Sequence, residues 1–237
     1  MPGQRLQAGG SEWAAPSGLQ VEVGASVAEN GRFMQDTLIV ALLAPLAYLL
    51  GTFPSAAIVA RRKGVDVTSE GSGNPGASNT FRLLGWKYGA LVFGMDACNG
   101  VLAAAVGLAI DGHRGAYILG GAAVLGHVWP ITRKFKGGRG VATAAGMMLV
   151  LFPVITLALA IMWSVLAKVT HKASLASMTV VVLFPVLAAI AGHSWGDLVI
   201  LGGLTLVVLV RHVSNLRRLV RGEEHGLGGG TPGTPEA

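Results

Sequence analysis

Charge is scarce in this 237-residue chain. Only 13% of its residues are Asp, Glu, Lys or Arg, where a soluble domain carries about 25%. With 52% hydrophobic residues and a mean hydropathy of +0.59, the composition points to a membrane rather than an aqueous fold. Cysteine is nearly missing: the single Cys98 excludes a disulfide framework and a catalytic cysteine pair. There is no H-E-x-x-H and no Cys/His cluster, so neither a metal nor any other cofactor is expected. No cleavable signal peptide is expected, because the first apolar run begins near Leu38 behind a mostly polar stretch with little positive charge. No internal repeat is visible, and the 35 glycines follow no collagen period. The net charge of +6 does not imply a nucleic-acid partner, since the basic residues gather beside apolar runs, where they act as topology signals.

Six apolar segments are present, at about 37–60, 86–110, 116–131, 141–166, 174–191 and 196–210. A spanning helix needs roughly 17–25 such residues, and Phe152-Pro153 offers a break in the longest. Charge bias arbitrates. If Arg61, Arg62 and Lys63 are cytoplasmic, leaving 141–166 whole places Lys168, Lys172 and the arginines of 211–221 outside. Splitting it at Pro153 returns both groups to the cytoplasm. The sequence therefore predicts an all-α, polytopic integral membrane protein of seven transmembrane helices, with the N-terminus outside and the C-terminus cytoplasmic. Residues 1–36 read as a weakly ordered tail, 37–224 as the membrane domain and 225–237 as a flexible tail.

Three polar, glycine-bearing segments then share one face. The first, "EGSGNPGASNTFRLLG" at residues 70–85, has the spacing of a dinucleotide-binding G-x-G-x-x-G. The required strand is missing and Pro75 interrupts the motif, so that reading fails. What survives is a loop whose backbone N–H groups can turn toward an anion, with Ser72, Asn74, Ser78 and Asn79 as polar partners and Arg82 as a forked cation. A plain interfacial turn is the alternative. The second segment runs from a basic cluster into Gly137-Gly138-Arg139-Gly140 and then straight into a helix, a phosphate-site arrangement. Lys134, Lys136 and Arg133 read equally well as membrane anchors, and His127 beside Trp129 as a packing residue. The third, "RHVSNLRRLVRGEEH", places His212 and Asn215 on one helical face. Its arginines also suit anionic lipid headgroups. Asp96 lies inside an apolar segment, where an acid is costly and reads as a buried hydrogen-bonding residue in helix packing.

Together the segments resemble the acyl-phosphate-dependent glycerol-3-phosphate acyltransferases of bacterial membranes. That family's "GSGNPGATN" with a following arginine is similar to Gly71–Asn79 with Arg82, its "GGKGVAT" to Gly137–Thr143, and its "RHxxNxxRLxxGxE" to Arg211–Glu224. The resemblance runs from about residue 45 to 224 and implies the same seven-helix fold. It implies acyl transfer from acyl phosphate to the 1-hydroxyl of sn-glycerol 3-phosphate, the first step of phospholipid synthesis, at the cytoplasmic face of the bacterial inner membrane. Ser72, Arg82, Arg139, Ser174, His212 and Asn215 would hold the glycerol phosphate. Gly71, Gly73, Asn74, Gly76, Ser78 and Asn79 would shape one loop and Gly137, Gly138 and Gly140 the other. Glu224 would anchor the third segment to a cation. Membrane lipids and an enzyme that makes acyl phosphate are the expected partners. Three departures stand out: Arg139 where the family has lysine, Asn99 where it tends to have another lysine, and Ser78 for threonine. The last is mild, while Arg139 and Asn99 together leave open a weakened or respecialised paralogue, and a small transporter of a phosphorylated solute is a rival class.

Overall fold

The structure, a computed structural model, describes residues 17–227. Among these are nine α-helices and one short 3-10 turn, and no strand. They are α1 (Ser17–Gly51), α2 (Ser55–Arg61), α3 (Ala77–Leu84), α4 (Trp86–Val128), α5 (Val141–Leu151), α6 (Pro153–Thr170), α7 (Ala173–Ile190), α8 (Trp195–Arg211) and α9 (Val213–Val220), with the 3-10 turn at Ile131–Arg133. Among the described residues four helical segments are long and apolar enough to cross a membrane, or five if α8 and α9, bent by 57°, count as one.

α6 shows which solvent these helices expect. Val154, Leu157, Ile161, Val165 and Val169 recur at three- and four-residue spacing, and every one is more than half exposed. Hydrocarbon solvates such a stripe, and water does not.

α4 is the axis of the fold. Its 43 residues would run about 64 Å if straight, twice the roughly 30 Å hydrocarbon thickness of a bilayer. Instead the helix breaks at Asp111 and Gly112, whose φ of +57° lies in the left-handed region. Its two arms then pack together so closely that a Cβ on Gly107 would stand 2.1 Å from the Gly115 carbonyl oxygen. α1 crosses the second arm just as tightly, with Gly51 against Ala123 and Gly126 against Tyr48. α5 crosses the first arm through Gly100 against Thr143 and Gly146 against Ala97. Small residues let backbones meet where lipid supplies no hydrophobic drive between helices. Around these crossings Ala104, Tyr117, Val124, Met147, Leu151, Phe152 and Leu201 form the largest buried cluster.

The break expected at Pro153 is present: α5 stops at Leu151, and Pro153 opens α6, where its missing N–H is harmless. Two expectations about the ends need correction. α1 begins at Ser17, so the second half of the stretch read as weakly ordered is helix, while residues 1–16 lie outside the described residues. At the other end residues 225–227 are not free: Leu227 N–H donates to His171 O at 2.7 Å, and Arg82 binds the carbonyls of His225 and Gly226. Residues 228–237 lie outside the described residues.

Candidate active site

The first glycine loop is wound around a single buried amide. Asn79, in the first turn of α3 and 1% exposed, donates through Nδ2 to Val67 O and Glu70 O, both at 3.0 Å. Its Oδ1 accepts from Ser72 N–H at 2.8 Å and Arg82 Nη1 at 3.2 Å. Gly71 and Gly73 carry φ of +61° and +67°, and a Cβ on Gly71 would strike Asn79 Oδ1 at 2.4 Å. Gly71 is thus required by both backbone conformation and the amide it wraps, and Gly73 by its left-handed backbone. Gly76 caps α3, and Ser78 stands in that helix's first turn, outside the cavity wall.

The second loop leads into α5. Gly140, at φ +82°, is its N-cap. Arg211 clips the loop by donating to Gly138 O at 3.2 Å and Gly137 O at 2.9 Å. The N–H of Gly138 donates to His127 O at 3.1 Å. Ser72, Gly73 and Asn74 of the first loop and Gly137 and Arg139 of the second face each other across a cavity of about 540 Å³. Arg61, Arg133, Lys136, Arg211 and Ser214 also line it.

The third segment folds on a carboxylate. Glu224, its side chain 3% exposed, accepts from Ser174 Oγ at 2.7 Å, Asn215 Nδ2 at 2.6 Å and Arg218 Nε at 2.9 Å. Burial alone would raise its carboxyl, but the hydrogen bonds from Asn215, Ser174 and Arg218 outweigh it and hold it below the ordinary value. His212 lies in the break between α8 and α9, buried, with Nδ1 2.8 Å from Val208 O. Burial, against the partial support of that carbonyl, pushes its imidazole down to about 4. Burial also draws Arg139 down to about 10; Glu224 opposes the shift and the crowd of Arg218, Arg82 and Arg211 adds to it. Arg139 stays cationic at neutral pH, in a field that an anionic ligand would relieve.

The structure therefore joins the expected residues into two adjoining groups, with Arg139 in the field of both. Ser72, Asn74 and Arg139 face the cavity, whereas Ser174 and Asn215 are bound to Glu224, and His212 is outside the cavity wall. Arg82 spends its donors on Asn79 and on the chain end. The cation expected to pair with Glu224 is Arg218. Asp96 is apart from these groups, accepting from Ser55 Oγ and facing His127. Sequence reasoning missed the cavity roles of Arg61, Arg133, Lys136 and Arg211, having read the first three as topology signals or anchors. For Arg211 there was a signal, since it opens the third segment.

Glycine-built loops and a ring of guanidiniums at the edge of an apolar helical bundle define a membrane protein with a cavity suited to an anion. Comparison with known proteins narrows that class. The sequence model of the glycerol-3-phosphate acyltransferase family matches residues 41–222. The glycerol-3-phosphate acyltransferase of Thermoanaerobacter sp. (strain X514) is 40% identical over 189 residues, 79% of this chain and 95% of that protein. That of Bacillus subtilis (strain 168) is 37% identical over 188 residues, 79% and 97% of the two chains. The crystal structure of PlsY (YgiH), an integral membrane glycerol 3-phosphate acyltransferase, in its glycerol 3-phosphate form superimposes with a TM-score of 0.73 at 35% identity, covering 80% of this chain and 96% of that one. The lysophosphatidic acid form gives 0.71, also at 35% identity, covering 79% and 94%. The chain belongs to the glycerol-3-phosphate acyltransferase family, and is an integral membrane acyltransferase.

Proposed function

We propose that the protein transfers the acyl group of an acyl phosphate to the 1-hydroxyl of sn-glycerol 3-phosphate, releasing 1-acyl-sn-glycerol 3-phosphate and inorganic phosphate. The observation that carries this reading is the 540 Å³ cavity, where the Ser72–Asn74 loop faces Arg139 among four further cations. Both substrates bear phosphate, and family membership supplies the acceptor, since relatives are named for it. In the reaction the hydroxyl oxygen forms a bond to the acyl carbon, the bond from that carbon to the phosphate oxygen breaks, and the hydroxyl proton leaves. The donor is a mixed anhydride, so alignment and charge stabilisation suffice without an acyl-enzyme. A phosphate oxygen of a substrate takes the proton. His212 is the weaker candidate, because an imidazole held near 4 is a poor base at neutral pH.

Ser72, Arg82, Arg139, Ser174, His212 and Asn215 hold the glycerol phosphate in this reading, and Glu224 orders Ser174 and Asn215. The glycines at 71, 73, 76, 137, 138 and 140, with Asn74, Ser78 and Asn79, shape its walls. Seven spans are assigned: α1, the two arms of α4, α5, α6, α7 and α8. The N-terminus is outside and the loops carrying the site are cytoplasmic, in the bacterial inner membrane. What supports this count is the fold-back of α4 and the Pro153 break, together with the basic residues gathered at one end of the helices. The donor arrives through the bilayer from the enzyme that makes acyl phosphate.

The test is acyl transfer by purified protein in lipid, given palmitoyl phosphate and labelled glycerol 3-phosphate without carrier protein or coenzyme A. Lysophosphatidic acid from the wild type, and little from Ser72→Ala or Arg139→Ala, is the expected result. Folded protein that binds glycerol 3-phosphate but makes no product would overturn the catalytic reading.

A further inference from the structure

The acid inside α4 and the histidine at its end form a stack with the second glycine loop. Asp96 and His127, on the two arms of α4, are 1% and 5% exposed. Ser55 Oγ donates to Asp96 Oδ1, and His127 Nδ1 stands 3.7 Å from the same oxygen. The far side of the imidazole fills the space where Gly138 would carry a side chain. A Cβ there would fall 2.2 Å from His127 Nε2, and the three nearest atoms to it all belong to that ring. The main chain of His127 completes the mould: its carbonyl accepts Gly138 N–H at 3.1 Å, and a Cβ on Gly137 would fall 2.1 Å from that oxygen.

Neither Gly137 nor Gly138 has a left-handed φ, so backbone conformation does not demand glycine at either position. What demands it is His127. The next residue is Arg139, which enters the cavity.

We propose that Asp96 and His127 are positioning residues: the acid, facing Nδ1 at 3.7 Å without a direct hydrogen bond, biases the imidazole by charge and packing, the imidazole and its carbonyl set Gly137-Gly138, and the loop thereby sets the direction from which Arg139 meets a phosphate. The proposal rests on the reading of Arg139 as a substrate ligand. It gives the buried acid a task beyond helix packing, and it explains why the histidine lies behind the loop rather than in the cavity wall.

The experiment uses the full chain in lipid nanodiscs and three readouts. In kinetics, Asp96→Asn and His127→Ala each raise the KM for glycerol 3-phosphate by about tenfold or more, and the double variant is no worse than the worse single. In an Arg139→Ala background, Asp96→Asn changes the Kd for glycerol 3-phosphate, read by direct binding, by less than about twofold, because the effect runs through Arg139. In hydrogen exchange, amides of 134–140 exchange faster in Asp96→Asn than in wild type, while those of α6 and α7 are unchanged. A full Asp96→Asn effect persisting without Arg139, or an unchanged exchange rate at 134–140, would overturn the proposal. If Asp96→Asn does not yield folded protein, Gly138→Ala presses on the same ring from the loop side, and an unaltered KM there would equally overturn it. Should the wild type make no product, the acyl-transfer reading fails while the exchange experiment still decides the stack.

Discussion

Take Gly146→Ala, a single methyl placed where α5 crosses α4. An ideal Cβ at this position would stand 2.0 Å from the carbonyl oxygen of Ala97, and ordinary contact begins at 3.4 Å. The helices must therefore part by about 1.4 Å. The obstruction is backbone, so no rotamer can yield, and overpacking of this kind costs about 3 kcal/mol at its upper end. Alanine returns about 1 kcal/mol through helix propensity, leaving a loss of about 2 kcal/mol. For a chain of this size that is a fall in Tm of about 4–8 °C. Gly94→Ala is the control, on α4 with nothing within 4 Å of its Cβ, and should melt at or above the wild-type temperature. Both variants would be melted in the same detergent, with acyl transfer measured beside them, because α5 begins at the Gly140 cap of the second glycine loop. A Gly146→Ala protein as stable as wild type would refute the close-contact account of this crossing, all the more if Gly94→Ala were the weaker of the two.

Three other outcomes are expected. Glu224→Gln strips the charge shared by Ser174, Asn215 and Arg218, lowering stability by about 3 kcal/mol. Because that carboxyl is held below its usual 4.5, its contribution is present above that pH and fades as pH falls through the lower folded value; acid melts should show this slope in wild type and not in the variant. Asn79→Ala leaves Val67 O, Glu70 O and Ser72 N–H without their partner, a loss of about 2–3 kcal/mol in melts, and raises the KM for glycerol 3-phosphate. Tyr48→Phe removes a hydroxyl that donates to Trp129 O at 2.6 Å and accepts from Ile131 N–H at 3.0 Å, lowering stability by about 1 kcal/mol with little change in turnover.

Much of this was readable in advance, and what was not has physical reasons. The apolar runs, the Pro153 break and the three polar segments are local signals: each is a property of contiguous residues with a period, a proline or a glycine spacing. Asn79 was legible as a loop-shaping residue because it sits inside its own motif. His127 was not, since a lone histidine beside a tryptophan carries no spacing that reveals a loop ten residues later folding back on its ring. Arg61 and Arg133 were read by their charge as topology markers, and only the tertiary fold turns them into a cavity wall. The start of α1 at Ser17 escaped because that stretch, rich in Gly, Ala, Ser and Gln, has no apolar period to announce a helix. The docking of residues 225–227 was invisible for a different reason: it uses mainly backbone groups, which every residue possesses.

That docking matters to anyone who wants to hold the enzyme on a solid support. Between the Arg82 guanidinium and the turn joining α6 to α7, the chain is pinned by hydrogen bonds to Gly226 O and from Leu227 N–H. A purification handle, dye or bead joined at Ala237 is therefore only ten positions along the chain from Leu227. Tension there loads the Leu227 bond to His171 O first and then the Arg82 guanidinium, which also holds Asn79 at the heart of the first glycine loop, so the attachment itself becomes a perturbation of the site being measured.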